Sequence, residues 1–458
     1  MDNPLLSPEF ESAMRNLLGD DYENFLQSLS DVPPASIRIN PDKACDIGLP
    51  QSIPWTAYGT YLADRPVFTL DPRFHAGAYY VQEASSMFLE QALRQHTDVG
   101  QALNVLDLCA APGGKSTHLL TLLNDDSLLV ANEAIRPRVP VLEENLEKWG
   151  RCNTIVSRSD PSDFHRLPEF FDVVVVDAPC SGEGLFRKDV RARQQWNPAS
   201  VMQCAARQKR ILADVWPSLK AGGILVYSTC TFNTKENEEN VQWLCKEHGA
   251  EPLSLAIDPS WGVAAAHEDK ISGYRFYPHK VKGEGFFLSV LRKTSSAGHR
   301  GRGKIKSTLV RPAKGSLEKL TPWIDRPDDK HFFVHRDQLR FTAARKSTET
   351  EYAIQQLRTI AVGTAAATLK HGKVVPEHSL ALSLSLKRGN IDEFELDETS
   401  ALRLLRKEQV HIAGGRRGFA VATFKGIVLG WVNILSDRVN NLYPSQRRIR
   451  MALPGQGL

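Results

Sequence analysis

Disulfide chemistry has little to work with in this chain. Its seven cysteines, Cys45, Cys109, Cys152, Cys180, Cys204, Cys230 and Cys245, are odd in number and form no CxxC pair. That argues against a disulfide framework and against a zinc site, so reduced thiols and no metal are expected. Long apolar runs are missing too: none approaches the ~20 residues needed to span a bilayer. The opening MDNPLLSPEF lacks the basic-then-apolar order of a signal peptide. The expectation is a cytoplasmic protein without a membrane partner. No internal repeat is found.

What is present is length and an uneven charge. At 458 residues the chain exceeds what one hydrophobic core organises, so about two to four domains are expected. The net charge of +4 hides an asymmetry, because residues 401–458 hold ten Lys/Arg against two Asp/Glu, or +8, leaving −4 for the first 400 residues. A basic tail domain of this kind points to a polyanionic partner.

Ser7-Pro8 predicts a helix start, followed by Phe10, Met14, Leu17 and Leu18 at helical spacing. Ser36–Asn40 alternates like a strand, so residues 1–75 read as a small α+β unit in which Arg38 is expected to be a solvated charge. From Tyr79 strands alternate with helices: strands at Leu103–Cys109, Ser127–Ala131, Thr154–Ser157, Asp172–Asp177 and Gly223–Thr229, helices at Glu83–Gln95, from Ser116, to Trp149, and around Glu236–Glu247. A long helix is expected from Asn197-Pro198 through Leu219, ended by Gly222-Gly223, with Gly285–Val290 as a late edge strand. This is the pattern of a doubly wound, mostly parallel α/β sheet over residues 76–295. Arg292–Lys306 has linker composition, and a basic linker is assigned to residues 296–320. Residues 321–397 mix strand and helix signals, and 398–458 predict a small β-barrel with strands at Gly418–Phe424, Ile427–Trp431 and Tyr443–Met451, separated by Lys425-Gly426 and Asn440-Asn441.

The candidate chemistry lies where strands end, because open α/β sheets bind ligands at their carboxyl edge. Val173–Val176 delivers Asp177, Pro179 and Cys180 there, and the Gly223–Thr229 strand delivers Cys230. The loop Cys109-Ala110-Ala111-Pro112-Gly113-Gly114-Lys115 precedes a helix. It imitates a P-loop, but Cys109 stands where the first glycine must be, so a sugar or carboxylate fits as well as a phosphate. Glu133 follows Gly114 by 19 residues, suiting a ribose diol, and Asp160 follows the third strand, suiting an adenine amino group. Loop and two carboxylates together suit S-adenosylmethionine. A thiolate beside that cofactor suits methylation of pyrimidine carbon 5, which becomes nucleophilic only after a thiolate adds to carbon 6, and Asp177 is placed to support N3. This logic leaves open which of Cys180 and Cys230 attacks. The other five cysteines read as small buried hydrophobes.

The runs Asp107–Lys115, Asp177–Gly182 and Ser228–Thr231, in this order and spacing, strongly resemble the Sun/Fmu/Nop family of RNA cytosine-5 methyltransferases over about residues 30–295. The tail, with Leu429-Gly430-Trp431 and Asn440–Pro444, resembles the PUA-like end of its bacterial RsmF (YebU) branch, which modifies small-subunit ribosomal RNA. The resemblance implies a Rossmann-like methyltransferase domain acting on ribosomal RNA or the small subunit, with the chain expected to be a monomer. It implies that Cys109–Lys115 cradle the cofactor, Glu133 holds its ribose, Asp160 faces its adenine, and Asp177 lies between cofactor and base. It implies Cys230 as nucleophile and Cys180 as the residue that assists product release. Arg187 and Lys188 match a basic segment near the target nucleotide, while Arg416, Arg417, Arg447 and Arg448 of the tail are candidate RNA contacts. Gln82-Glu83 matches a family pair to which no role is assigned. Glu133 departs from the aspartate of other branches, but its longer side chain can make the same bonds.

Four alternatives stand beside this reading. DNA cytosine-5 methyltransferases attack with the cysteine after proline, here Cys180, and carry a Glu-Asn-Val motif that Glu239-Asn240-Val241 matches; yet Cys180 precedes Ser-Gly rather than their glutamine. A P-loop ATPase would bind ATP with magnesium. Transfer RNA as substrate, or a non-catalytic ribosome-assembly factor, completes the set.

Overall fold

Ser7 and Pro8 start the first helix of the computed structural model as anticipated: Ser7 Oγ accepts from Phe10 N at 3.1 Å, and Pro8 opens Pro8–Leu18. The structure describes residues 6–43, 47, 51–266, 273–295, 307, 309–335, 337–370, 373–411 and 414–452. Cys45 and most of Arg292–Lys306 lie outside the described residues. Phe10 and Met14 pack with Phe25 and Leu29 against Phe186, Phe232 and Tyr277, so the first two helices brace the loops that carry the two candidate cysteines. Strands β1 (Ala35–Ile39), β2 (Gly59–Leu62) and β3 (Tyr79–Val81) form an antiparallel sheet in the order β2-β1-β3.

The central sheet contains β4 (Asn104–Asp107), β5 (Leu128–Asn132), β6 (Thr154–Ser157), β7 (Phe171–Asp177), β8 (Leu219–Thr229), β9 (Ala250–Leu253), β10 (Ala264–Ala266), β11 (Gly273–Phe276) and β12 (Phe286–Lys293). Its order is β10-β11-β12-β8-β7-β4-β5-β6, with β8 through β6 parallel and β9 paired to β12. The chain runs outward from β4 through β5 to β6, then returns to the other side of β4 for β7 and β8. The switch point between β4 and β7 opens the ligand crevice of such sheets. Val173 to Val176 are wholly buried, as a strand covered on both faces requires.

Three local expectations are corrected. The long helix ends at Val215, because Pro217 withdraws an N–H from its continuation, and Leu219 opens β8. Gly222-Gly223 therefore lies inside β8, in the irregular stretch where the register against β7 shifts. Strand β12 is not an edge, since it pairs with β8, β9 and β11. The third tail strand is Val439–Asn441 rather than Tyr443–Met451. Asn440 and Asn441 pair with Asn433 and Val432 instead of turning, while Tyr443 buries its ring against His378.

Residues 321–397, expected as a unit of their own, lend a strand to the central sheet. Strands β13 (Lys330–His335), β14 (Gln338–Ala343), β16 (Thr364–Lys370) and β17 (Lys373–Pro376) form one sheet, but β15 (Thr359–Val362) adds antiparallel to β6. Strands β18 (Asp392–Glu395), β19 (Gly418–Phe424), β20 (Ile427–Ile434) and β21 (Val439–Asn441) make the last sheet. Leu339, Phe341 and Val374 of one C-terminal sheet share a core with Val421, Val428 and Trp431 of the other. Leu404, Leu429 and Val432 pack in turn on Ile37, Ala76 and Tyr79, so the basic tail is built into the N-terminal unit. Among the described residues no helix is long and apolar enough to cross a membrane.

One residue joins the central sheet to the C-terminal one. Gly363, between β15 and β16, has φ +53°, and a Cβ there would lie 2.0 Å from Phe341 O. Gly363→Ala is therefore expected to cost at least ~2 kcal/mol of stability, measured by thermal unfolding; an unchanged midpoint would show that this junction tolerates a side chain.

Candidate active site

The crevice forms because β7 and β8 run in register to their ends. Asp177 lies opposite Ser228, whose Oγ donates to Asp177 Oδ1 at 2.9 Å. Three residues beyond Asp177, Cys180 Sγ comes 2.9 Å from Cys230 Sγ, and Cys230 N donates to Cys180 Sγ at 3.3 Å. Two buried carboxylates hold the loops so close. Glu183 accepts from Phe232 N at 2.8 Å, Asn233 N at 2.9 Å and Trp196 Nε1 at 2.9 Å. Glu236 accepts from Ser181 N at 3.1 Å, Gln208 Nε2 at 2.7 Å and Asn233 Nδ2 at 2.8 Å. Gly184 N donates to Cys230 O at 2.9 Å, and a Cβ at Gly184 would fall 2.3 Å from Gly285 O. Sequence reasoning missed these clamps, although Glu183 sits within the VVVVDAPCSGEG stretch and Glu236 lies just past Cys230.

The thiols are not equivalent. The hydrogen bond with Cys230, and then burial, push the Cys180 thiol well above its ordinary value. Burial also raises the Glu236 carboxyl beneath them.

The glycine loop closes the other side of the crevice. Gly113, at φ +115°, leads into the helix Gly114–Leu122, and Asn145 Nδ2 fixes the loop by donating to Pro112 O at 2.8 Å. Lys115 does more than line the loop: its Nζ lies 2.8 Å from Asp177 Oδ2 and 5.0 Å from the centre of the Phe286 ring. Cys109, Ala110, Ala111, Pro112, Gly114 and Lys115 border a cleft of about 430 Å³ that also reaches Asp177, Cys230 and Glu284. Cys180 stands behind Cys230, outside the cleft lining.

The acids of the neighbouring strand ends divide into two kinds. Glu133 is buried; its Oε1 accepts from Ile135 N at 2.9 Å, while Oε2 has no hydrogen bond and only the Arg138 Nη1 charge at 3.2 Å. Asp107 is wholly buried, with Ser116 Oγ donating to Oδ2 at 2.6 Å and Oδ1 unpartnered. Burial pushes the Asp107 carboxyl up to about 7. Asp160, in contrast, is half exposed and caps the turn Pro161–Arg166 through Ser162, with Arg210 at 3.9 Å. Asn132, not foreseen, ties the three strand ends by donating to Leu108 O and Ser159 O at 3.1 Å each.

Arg38 is corrected from solvated charge to wholly buried cation. Its guanidinium donates to Gln82 Oε1 at 2.8 Å, Thr121 Oγ1 at 2.9 Å and Thr117 Oγ1 at 2.6 Å, and lies 4.3 Å from the Trp149 ring centre. Arg38 thereby links β1 to the helix behind the glycine loop, and Gln82, which carried no assignment, helps hold its guanidinium. Glu83 accepts from Ser85 N at 3.0 Å and Glu284 N at 2.8 Å, holding the rim.

The candidate RNA contacts also separate. Arg187 turns inward to a buried pair with Glu284 at 3.0 Å, which Lys188 joins at 3.2 Å. Arg447 is largely buried in an ion pair with Glu147 of the central domain. Arg416 is exposed but paired with Asp392 at 2.7 Å, and Arg417 and Arg448 face solvent.

Comparison with known proteins follows the same division of the chain. The family model for 16S rRNA methyltransferase RsmB/F matches residues 94–292. Models for the N-terminal domain of 16S rRNA methyltransferase RsmF and for the methyltransferase RsmF PUA domain match 6–84 and 392–449. Proteins named ribosomal RNA small subunit methyltransferase F are similar: that of Vibrio parahaemolyticus is 31% identical over 86% of this chain and 85% of its own. That of Pectobacterium atrosepticum is 34% identical over 64% of this chain, which spans 63% of the relative, under two thirds of its length. A solved methyltransferase homologue from Pyrococcus horikoshii is 28% identical over 63% of this chain and 95% of its own, with a TM-score of 0.55.

Two outcomes test this geometry. Asp107 gains its proton more readily folded, at about 7, than unfolded, near ~3.9, so its contribution is complete below about pH 4 and is lost as pH rises through 7. Asp107→Asn cannot ionise and should gain stability over the wild type between pH 4.5 and 7.5, by up to a few kcal/mol in denaturant titrations; a pH-independent difference would contradict the buried acid. Arg38→Met leaves Gln82 and two threonines without their donor and should cost about 3 kcal/mol in the same measurement, whereas a loss under ~0.5 kcal/mol would return Arg38 to the surface.

Proposed function

Because this chain belongs to the RsmB/F family of 16S rRNA methyltransferases, we propose that it methylates carbon 5 of cytosine in small-subunit ribosomal RNA through a covalent cysteine adduct. The observation that carries the reading is the 2.9 Å approach of Cys180 and Cys230 beside Asp177, at the end of a cleft bordered by the glycine loop.

The cleft suits S-adenosylmethionine, which when bound supplies an electrophilic methyl group. Two buried carboxylate oxygens, Glu133 Oε2 and Asp107 Oδ1, lack hydrogen bonds on adjacent strand ends, a cost that polar donors of a ligand would relieve. Cys109–Lys115 would line its binding cleft, with Glu133 toward the ribose and Asp160 toward the adenine. Asp160 is available only through Oδ2, since Oδ1 is occupied by its own capping turn.

The base enters from the cysteine side. Cys230, as thiolate, adds to C6; the C5–C6 double bond breaks and its electron pair is delocalised as an enamine, nucleophilic at C5. Asp177, oriented by Ser228 and Lys115, supports N3 while that charge develops. After methylation, the C5 proton leaves, its electron pair restores the double bond, and Cys230 departs from C6 as thiolate. Cys180, whose sulfur adjoins that of Cys230, assists by relaying this proton, passing its own to solvent as it takes the C5 proton.

Cys230→Ser is expected to abolish methyl transfer and form no adduct. Cys180→Ser should still attack and be trapped as a covalent protein–RNA species, visible on a denaturing gel. An adduct from Cys230→Ser would reverse the two roles.

A further inference from the structure

Strand β15 brings a residue of the C-terminal region to the ligand edge of the central sheet. Arg358, just before β15, accepts Arg158 N at 2.9 Å through its carbonyl, and its own N–H donates to Ser159 Oγ at 2.9 Å. One strand inward, Glu133 N donates to Ser157 O at 3.0 Å, and Arg136 opens the following turn. Three guanidinium-bearing residues thus leave adjoining strand ends, with Arg136 and Arg358 exposed and Arg158 partly so.

None of the three has a carboxylate partner among the described residues. The acids close by are already engaged: Glu133 by Arg138 at 3.2 Å, Asp163 by Arg166 at 3.5 Å, and Asp160 by its cap and Arg210. Partial desolvation, followed by the Arg358 and Arg136 charges, holds the Arg158 guanidinium below its ordinary value. Like charges gathered at one edge repel unless an anion joins them.

We propose that Arg136, Arg158 and Arg358 form a phosphate-binding track for RNA flanking the target base. The inference rests on the reading of the chain as an RNA-modifying protein and extends it to a surface assembled by β15. Strands lie ~4.8 Å apart, so the track begins about 14 Å from the Cys230 strand end, at Arg136 after β5, and reaches about 24 Å at β15. A span of that size is covered by a few nucleotides of extended backbone. Planar guanidinium groups match phosphate oxygens in pairs of parallel hydrogen bonds, and such contacts position RNA without reading its sequence.

The test is the salt dependence of binding between the full chain and in vitro transcribed small-subunit ribosomal RNA. The triple variant R136Q/R158Q/R358Q should bind roughly tenfold more weakly near 0.15 M salt. Its log–log salt slope should be shallower by about 2, at ~0.7 per single-strand phosphate. S-adenosylmethionine affinity should be unchanged, and the triple lysine variant should recover most of the slope. An unchanged RNA affinity and slope would overturn the proposal, as would a loss confined to S-adenosylmethionine affinity. Because binding is read rather than turnover, a wild-type chain that bound RNA without methylating it would sink the activity and leave the track standing.

Discussion

The parallel pairing of β7 with β8 is the constraint on which the rest depends. It ends with Asp177 opposite Ser228, and both chains then turn away carrying one cysteine each. Two thiols at 2.9 Å gain little from each other, so something else must hold the loops. Glu183 and Glu236 do so by accepting backbone N–H groups from the opposite loop, bonds to charged acceptors that are worth more than neutral ones. Buried carboxylates cost desolvation energy, and here that cost is offset by three or more donors each, which fixes the geometry rather than adding much net stability.

The units outside the central sheet serve the same edge. The first helices press Phe10 and Phe25 on Phe186 and Phe232, next to the cysteine loops. Strand β1 sends Arg38 beneath the helix that follows the glycine loop, where neutral oxygens rather than a carboxylate satisfy it. Desolvation lowers that guanidinium to about 9, so it remains charged at neutral pH. The C-terminal region extends the sheet by β15 and, through Arg447 and Glu147, ties the basic tail to the central domain. The +8 charge of the tail is therefore displayed on a fixed surface, not on a free arm.

Much of this was legible in the sequence, for identifiable reasons. Val173–Val176 is apolar on both faces, so its burial in a parallel sheet follows from composition, and the loop residues 109–115 announce themselves by glycine and helix-start signals. Arg38 was misread because a single charge on a short alternating strand carries no sign of which face is covered; only a helix distant in sequence decides it. Gly222-Gly223 resembles a helix stop, and the true stop, Pro217, lies five residues earlier. Arg187 and Arg447, candidate RNA contacts in the sequence, pair with Glu284 and Glu147 in the structure, because a basic residue near a site reads the same whether its partner is a phosphate or a carboxylate. Antiparallel addition of β15 to β6 depends on a pairing about 200 residues apart, which local pattern does not encode.

The central claim is that this pair of thiols modifies cytosine in ribosomal RNA. Bisulfite sequencing of small-subunit ribosomal RNA from cells lacking the chain tests it most directly. The account predicts that at least one 5-methylcytosine disappears, returns with the wild-type chain, and does not return with Cys230→Ser. An unaltered methylation pattern, or full restoration by Cys230→Ser, would contradict it.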